Sequence, residues 1–174
     1  MNLKIREAVK SDITALAKNN QALANETENI NLNLDTIISG VSNALDREDC
    51  HYFVAEINKM VVGQTLITYE WSDWRNGLIW WIQSVFVLFN FRKQGVFRAL
   101  FNHIENLARN NPKVKALRLY VVQNNQSGIE TYKALGMMDY ILHGAIVCSS
   151  NRNSTRSGFD LRHPKALADG ILGI

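Results

Sequence analysis

Apolar residues recur along this chain with two different periods, and each change of period marks an element. Leu3 to Arg6 alternates and predicts a first strand. Ser11 is placed to cap a helix carrying Ile13, Leu16 and Ala17. A polar segment, Asn25 to Asn33, contains Glu26 and Glu28 and leads to a second helix. Asp35 is its expected cap, and Ile37, Ile38, Val41 and Leu45 are its apolar stripe. Phe53, Val54 and Ile57 mark a strand, Asn58-Lys59 a tight turn, and Val61 to Tyr69 the returning strand. Arg75-Asn76-Gly77 predicts a second hairpin before the strand Leu78 to Val87.

Beyond Val87 strands and helices alternate. A helical pattern runs to about Ala108 with Phe97, Leu100, Ile104 and Leu107 on one face, and Asn110-Asn111-Pro112 ends it. Ala116 to Val122 reads as a strand. Ser127 and Glu130 have the spacing of a capping box, and Gly136 is placed to end that helix in a left-handed conformation. Tyr140 to Val147 reads as a late strand. Residues 149–158 are polar without periodicity, a loop or disordered connection. Residues 159–174 read equally as an edge strand, a docking segment or a mobile tail. Strands that first pair through hairpins and then alternate with helices imply an α/β (α+β) fold, a mixed sheet with helices on both faces. One domain over residues 1–148 is expected, with 149–174 set apart.

Composition narrows the class. The chain of 174 residues is 47% hydrophobic and 20% charged, as in an ordinary globular protein. The net charge is only +3 and the basic residues are dispersed, which argues against nucleic acid as partner. Cys50 and Cys148 make neither a disulfide framework nor a metal-binding spacing. No apolar run approaches membrane length, and the N-terminus lacks a signal-peptide pattern. The expected compartment is the cytoplasm.

One cluster of charge stands out: Arg92, Lys93, Gln94, Gly95, Val96, Phe97 and Arg98. It follows the apolar run Ile82 to Val87 and opens a helix. A glycine-bearing turn between strand and helix gathers backbone N–H groups at the positive end of the helix dipole, which suits a phosphate or pyrophosphate. The cations add further attraction. A nucleotide P-loop is excluded because no Gly-Lys-Ser/Thr follows, and a dinucleotide loop because Gly95 is the only glycine of the segment. The bland alternative is a basic turn before a helix.

Downstream, Asn125, Gly128, Tyr132 and Gly136 follow the order N-x-x-G-x-x-x-Y-x-x-x-G. With WIQSVFV, RKQGVF, LRLYVV and the N-terminal IREAVKSDITAL, this order resembles the GCN5-related N-acetyltransferase (GNAT) superfamily over roughly residues 3–142. The resemblance implies a mostly antiparallel central sheet with one splayed parallel strand pair, and acetyl-CoA bound in the splay. It implies transfer of an acetyl group from the thioester to a primary amine, most simply a small molecule. The backbone of Val85, Phe86 and Val87 would bind the pantetheine arm, a bulge there aiming an N–H at the thioester carbonyl. N–H groups from Lys93 to Arg98 would cradle the pyrophosphate. Phe97 stands where the family usually has a small residue, which is tolerable if its ring points into the core. Asn125 would bond the pantetheine arm or the splayed strand, or simply make a turn. Gly128 belongs to the same cofactor segment. Tyr132 would protonate the leaving thiolate, its plainer role being a half-buried packing residue.

The acceptor side is less specified. Glu70, at the end of the third strand, is a candidate base, directly or through water, or a solvated charge. Glu26 and Glu28 are alternatives as base or as anchors for a cationic substrate. His51 and His103 read as non-catalytic. Trp71 and Trp74 are candidate lining for an amine pocket through cation–π contact, or surface for a homodimer. Trp80 and Trp81 are strand neighbours, so they point to opposite faces and one of them belongs to the core. YEWSDWRNG resembles the hairpin of polyamine and small-amine acetyltransferases. Competing readings are a non-catalytic acyl-CoA-binding module, a protein or peptide N-acetyltransferase, and a basic nucleic-acid-binding protein. No metal is implied.

Overall fold

Asn58 and Lys59 set the register of the first hairpin. β2 (Cys50–Ile57) and β3 (Met60–Ser72) close by pairing Ile57 with Met60, which leaves a two-residue loop. Both loop residues have positive φ, 50° and 65°, the mirror-image turn whose twist matches that of the strands. This register sends Tyr52 and Val54 to one face and Phe53 and Ala55 to the other.

The computed structural model describes residues 2–122, 125–142 and 145–151. Its contacts fall into two compact units, Met1–Leu117 and Arg118–Ile174. In the first unit β1 (Leu3–Glu7) pairs antiparallel with β2, and β4 (Gly77–Val87) pairs antiparallel with β3. The start of β5 (Val114–Val122) lies beside β4 and parallel to it, giving the order β1-β2-β3-β4-β5. Leu78 N–H donates to the Lys113 carbonyl at 2.8 Å. A Cβ on Gly77 would stand 2.5 Å from that same carbonyl, so only glycine allows the approach. The mixed sheet with one parallel pair is therefore as expected.

Helices cover both faces of this unit. α1 (Ile13–Glu28) and α2 (Leu34–Leu45) bury Leu16 and Val41 with Ala8, Tyr52 and Val54. α3 (Val96–Asn110) packs on the opposite face, where Gly63 lets Val96 and Leu100 come close to β3. α3 buries Val96, Leu100, Phe101, Ile104 and Ala108. The expected stripe is thus rotated: Phe97 is half-buried against Phe101, and Leu107 is exposed. Leu100 and Ile104 belong to both stripes, and seating Val96 on Gly63 decides between them.

Two N-caps in this unit differ from the sequence pattern. α1 starts after Asp12, not Ser11, because the Asp12 carboxylate accepts Arg6 Nη1 at 2.7 Å, Arg6 Nη2 at 3.0 Å and the Val9 N–H at 2.8 Å. α1 then runs on through Glu28, so Glu26 and Glu28 are helical and not part of a loop. It ends where Asn29 turns left-handed at φ 55°. α2 is capped by Asn33 instead of Asp35, its Oδ1 accepting the Thr36 N–H at 2.9 Å.

In the second unit the sheet order is β5-β7-β6. α4 (Gln126–Ala134) follows β5, and β6 (Met138–Leu142) pairs antiparallel with β7 (Ala145–Asn151). The single late strand expected over Tyr140 to Val147 is a hairpin, and β7 extends past residue 148 into the segment expected to be loop. The rest of that segment and the tail, 152–174, lie outside the described residues. No described helix is long and apolar enough to cross a membrane.

Two outcomes follow for stability. Lys59→Gly removes the left-handed strain of a side chain at φ 65° and is expected to raise stability by about 1 kcal/mol, read by thermal denaturation. The Asp12 carboxyl lies below its ordinary range, chiefly because Arg6 bonds its charged form. A depressed carboxyl contributes stability above the unfolded pKa and loses it as pH falls through the folded one. Asp12→Asn should therefore cost about 2 kcal/mol near pH 7, and its difference from wild type should shrink progressively below about pH 4 in urea unfolding.

Candidate active site

β4 carries one residue more than its partner at its C-terminal end. Gln64 pairs with Phe86 and Leu66 with Gln83, so Ser84 and Val85 together face Thr65. Ser84 sits at φ 48°, the left-handed conformation that a bulge requires and that serine adopts at a cost. The bulge lies where the sequence places the pantetheine-binding strand.

Three residues after Phe86, which follows the bulged pair on β4, the chain leaves the sheet through a short helical turn, Phe89–Phe91. Lys93 and Gly95 are both left-handed, at φ 59° and 81°. Gly95 is the N-cap of α3 and supplies no side-chain cap. The first bond of the helix runs from Ala99 N–H to the Gly95 carbonyl at 2.9 Å. The N–H groups of Val96, Phe97 and Arg98 therefore precede the helical ladder, at the positive end of its dipole. This arrangement fits a pyrophosphate. Lys93, Gln94 and Arg98 are exposed around it, and Gln94 Nε2 donates to the Asn90 carbonyl at 2.7 Å.

Arg92 is bound into the fold. Its Nε donates to the Val87 carbonyl at 2.8 Å and its Nη2 to Glu26 at 2.7 Å. Its guanidinium lies over the rings of Phe86 and Phe89, at 5.4 and 5.7 Å. It ties the end of β4 to the last turns of α1. Glu26 is thus partnered by the basic turn, and Glu28 is exposed at the helix end.

The register separates the bulge from three of the expected acceptor residues. Glu70 pairs with Ile79, five residues before Ser84, which is roughly 17 Å along the strand. Its carboxylate accepts the Trp81 Nε1 hydrogen bond. Glu70 therefore stands apart from the bulge along the strand, and the expectation that it ends β3 beside that point is not met by the register. Trp71 and Trp74 lie farther still, at the tip of the hairpin, 60% and 67% exposed, and form no wall beside the bulge. The sequence brings them near Glu70 only because the hairpin is long. Between Glu70 and the bulge, on the same face, Gln83 Nε2 donates to Thr68 Oγ1. Trp80 is the core member of its pair, stacked on Tyr69 at 5.3 Å, and His51 continues that row by bonding Glu7 at 2.6 Å. His103 packs edge-on against Phe53.

A polar chain that sequence reasoning missed lies under α1. Gln64 Nε2 donates to Asn20 Oδ1 at 2.7 Å, and Asn20 Nδ2 donates to the Tyr52 hydroxyl at 3.0 Å. Burial pushes the Tyr52 phenol up, although Asn20 and Ser84 favour its ionised form. On the other face of β3, Thr65 Oγ1 donates to the Gln83 carbonyl at 3.0 Å. The signal was two adjacent polar residues, Gln64 and Thr65, between the apolar pairs Val61-Val62 and Leu66-Ile67.

Asn125 caps α4, its Oδ1 accepting the Gly128 N–H at 2.9 Å, so the capping box of Ser127 and Glu130 does not form. A Cβ on Gly128 would stand 2.8 Å from the Asn125 carboxamide, which accounts for glycine there. Tyr132 is half-buried, and its carbonyl accepts the Met137 N–H at 3.1 Å while Gly136, at φ 81°, donates to Lys133. These are the paired bonds of a Schellman ending, as Gly136 predicted.

The acetyltransferase (GNAT) family model matches residues 20–137. No curated protein matches the sequence. Among solved structures, a possible acetyltransferase from Clostridium difficile is 41% identical over 81% of this chain and 95% of its own, with a TM-score of 0.75. NAA60 of Arabidopsis thaliana, solved with acetyl-CoA, is 15% identical over 88% and 100% of the two chains, TM-score 0.68. The PaiA N-acetyltransferase of Thermoplasma acidophilum, solved with coenzyme A, is 12% identical over 87% and 99%, TM-score 0.69. The last two are similar in fold.

Asn125→Ala removes the α4 cap and is expected to cost about 1 kcal/mol, measured by denaturant unfolding.

Proposed function

The chain belongs to the GNAT acetyltransferase family, and on that premise we propose that it is an acetyl-CoA-dependent N-acetyltransferase acting on a primary amine of small-molecule size. The observation that carries the proposal is a bulged strand end followed by a helix whose N-terminal amides have no side-chain cap. Such a strand and turn suit an extended amide-bearing arm ending in a pyrophosphate better than a bare phosphate.

Acetyl-CoA, when bound, supplies the acetyl group as an activated thioester. The amides of Val96, Phe97 and Arg98, with those of Lys93 to Gly95, hold its pyrophosphate. Gly95 lets the backbone approach, and Lys93 and Arg98 add charge. Arg92 serves chiefly by fixing the turn, since its guanidinium already holds Val87 and Glu26. The backbone of Val85, Phe86 and Val87 holds the pantetheine arm, and the bulge directs an N–H to the thioester carbonyl. Asn125 and Gly128 form the cap from which Tyr132 is placed.

The amine must arrive neutral at the carbonyl carbon. Glu70 accepts its proton through water ordered along Thr68 and Gln83, since the register denies it direct contact. The new C–N bond forms as the C–S bond breaks, and the Tyr132 hydroxyl gives its proton to the departing sulfur. This role for Tyr132 rests on its place in the N-x-x-G-x-x-x-Y-x-x-x-G segment. Glu28, exposed at the end of α1, is the nearest charge in sequence to Glu26 that a cationic acceptor can meet.

A thiol-release assay with acetyl-CoA against a panel of amines tests the proposal. Turnover with one class of amine is expected, and Tyr132→Phe should lower kcat by about 10- to 100-fold with acetyl-CoA affinity retained. Binding of acetyl-CoA without turnover on any amine or peptide would instead make the chain a binding module.

A further inference from the structure

Two neighbouring polar residues, Gln64 and Thr65, are completely buried in a strand whose flanks, Val62 and Ile67, are apolar and equally buried. Buried polar side chains are costly unless they are used. Here the cost is visible: Gln64 Oε1 has no hydrogen-bond partner among the described residues. An apolar residue of similar size would avoid it. What these two residues share is position. Thr65 is the single residue opposite the bulged pair, and Gln64 faces Phe86 immediately beyond it.

Successive strand residues point to opposite faces, so the two flank the bulge on both sides of the sheet. On the α3 face, with Gly63 and Ile67, Thr65 Oγ1 holds the Gln83 carbonyl, the last before the bulge, at 3.0 Å. On the α1 face, Gln64 holds Asn20 and Asn20 holds the Tyr52 hydroxyl. Ser84, the first residue of the bulged pair, is the other side chain that eases ionisation of that hydroxyl. The bulge needs such bracing for two reasons. Ser84 occupies a left-handed conformation without being glycine. A one-residue slip into a regular ladder would relieve that strain, and it would turn every later side chain of β4 to the opposite face. Phe86 would then leave the Arg92 guanidinium, and the basic turn would start from a displaced strand end.

We propose that Thr65, together with the Gln64–Asn20–Tyr52 chain, positions the hydrogen-bond donor for the thioester carbonyl by locking the extra residue of β4 in place. These are positioning residues: they act through the backbone of Ser84 and Val85 and need not touch either substrate. The inference rests on the acetyl-transfer reading for its catalytic consequence, but the locking itself is independent of it.

Thr65→Val keeps the shape and removes the hydroxyl, Thr65→Ser restores it, and Tyr52→Phe breaks the chain on the other face. Steady-state kinetics, acetyl-CoA titration and amide hydrogen exchange are measured on each. Thr65→Val is expected to lower kcat by about 10- to 100-fold, since small misplacements of a catalytic donor have effects of that order. The acetyl-CoA Kd should stay within about threefold, because loss of one hydroxyl loosens the bulged pair without the full slip that would displace the turn, and Thr65→Ser should recover most of kcat. Tyr52→Phe should lower kcat in the same direction by less. Unchanged kcat in Thr65→Val, or a parallel loss of kcat, affinity and thermal midpoint that serine does not rescue, would overturn the inference. If the wild-type protein transfers no acetyl group, the functional reading has failed, and exchange decides the locking. Faster exchange of the Val85 and Phe86 amides in Thr65→Val then supports it, and identical exchange refutes it.

Discussion

Between Gln83 and Phe86 the fourth strand holds two residues where its partner holds one, and the direction of everything after them depends on that surplus. A regular ladder would carry Phe86 and Val87 to the wrong faces. With the surplus, Phe86 lies on the α1 face opposite Gln64, and the Val87 carbonyl meets Arg92. The strand therefore delivers the chain into the basic turn at one angle. The helix that follows is held there by Val96 seated against Gly63. Bulge, turn and helix start are a single mechanical unit, and all of it lies within residues 1–117.

Arg92 shows how a charged cluster divides its labour. Seven residues with three cations suggest a uniform attraction for phosphate. In the folded chain one cation is committed to structure, stacked over two phenylalanines and bonded to a carbonyl and a carboxylate. Because its carboxylate partner, Glu26, sits near the end of α1, the pair couples that helix to the turn. What the turn offers an anion is then chiefly backbone N–H groups, which need no particular side chain. That is why Phe97 can stand where a small residue is usual. Its ring is half-buried against Phe101, and its N–H remains at the helix start.

The acceptor side teaches the opposite lesson about distance. Glu70, Trp71 and Trp74 look adjacent to the catalytic strand when the hairpin is read as a short one. β3 and β4 are 13 and 11 residues long, so their shared turn lies at the far end from the bulge. Strand rise converts that difference into roughly 17 Å for Glu70. Residue type alone pointed to a base, and register placed it away from the bulge.

Much of the fold was legible because it depends on local rules. Alternation located the strands, Asn58-Lys59 and Asn76-Gly77 located the hairpins, and Gly136 ended its helix as a left-handed glycine should. The family could be read from the spacing of the Arg92–Arg98 turn and the Asn125–Gly136 segment, since a turn that binds with its backbone needs glycine at a fixed offset. Caps were missed by one or two residues, as at Asp12 and Asn33, because several side chains in each stretch can accept an N–H and long-range partners choose among them. Arg6, on a different element, chose Asp12. The sequence by itself thus determined the elements, the family and the glycine-bearing basic turn at a helix start, all set by interactions within a few residues. Only tertiary structure decided which polar residues meet across strands: Thr65 with the Gln83 carbonyl, Gln64 with Asn20, Arg92 with Glu26. Those contacts span from 18 to 66 residues, and no local pattern encodes a partner that the folding of the sheet must first bring near.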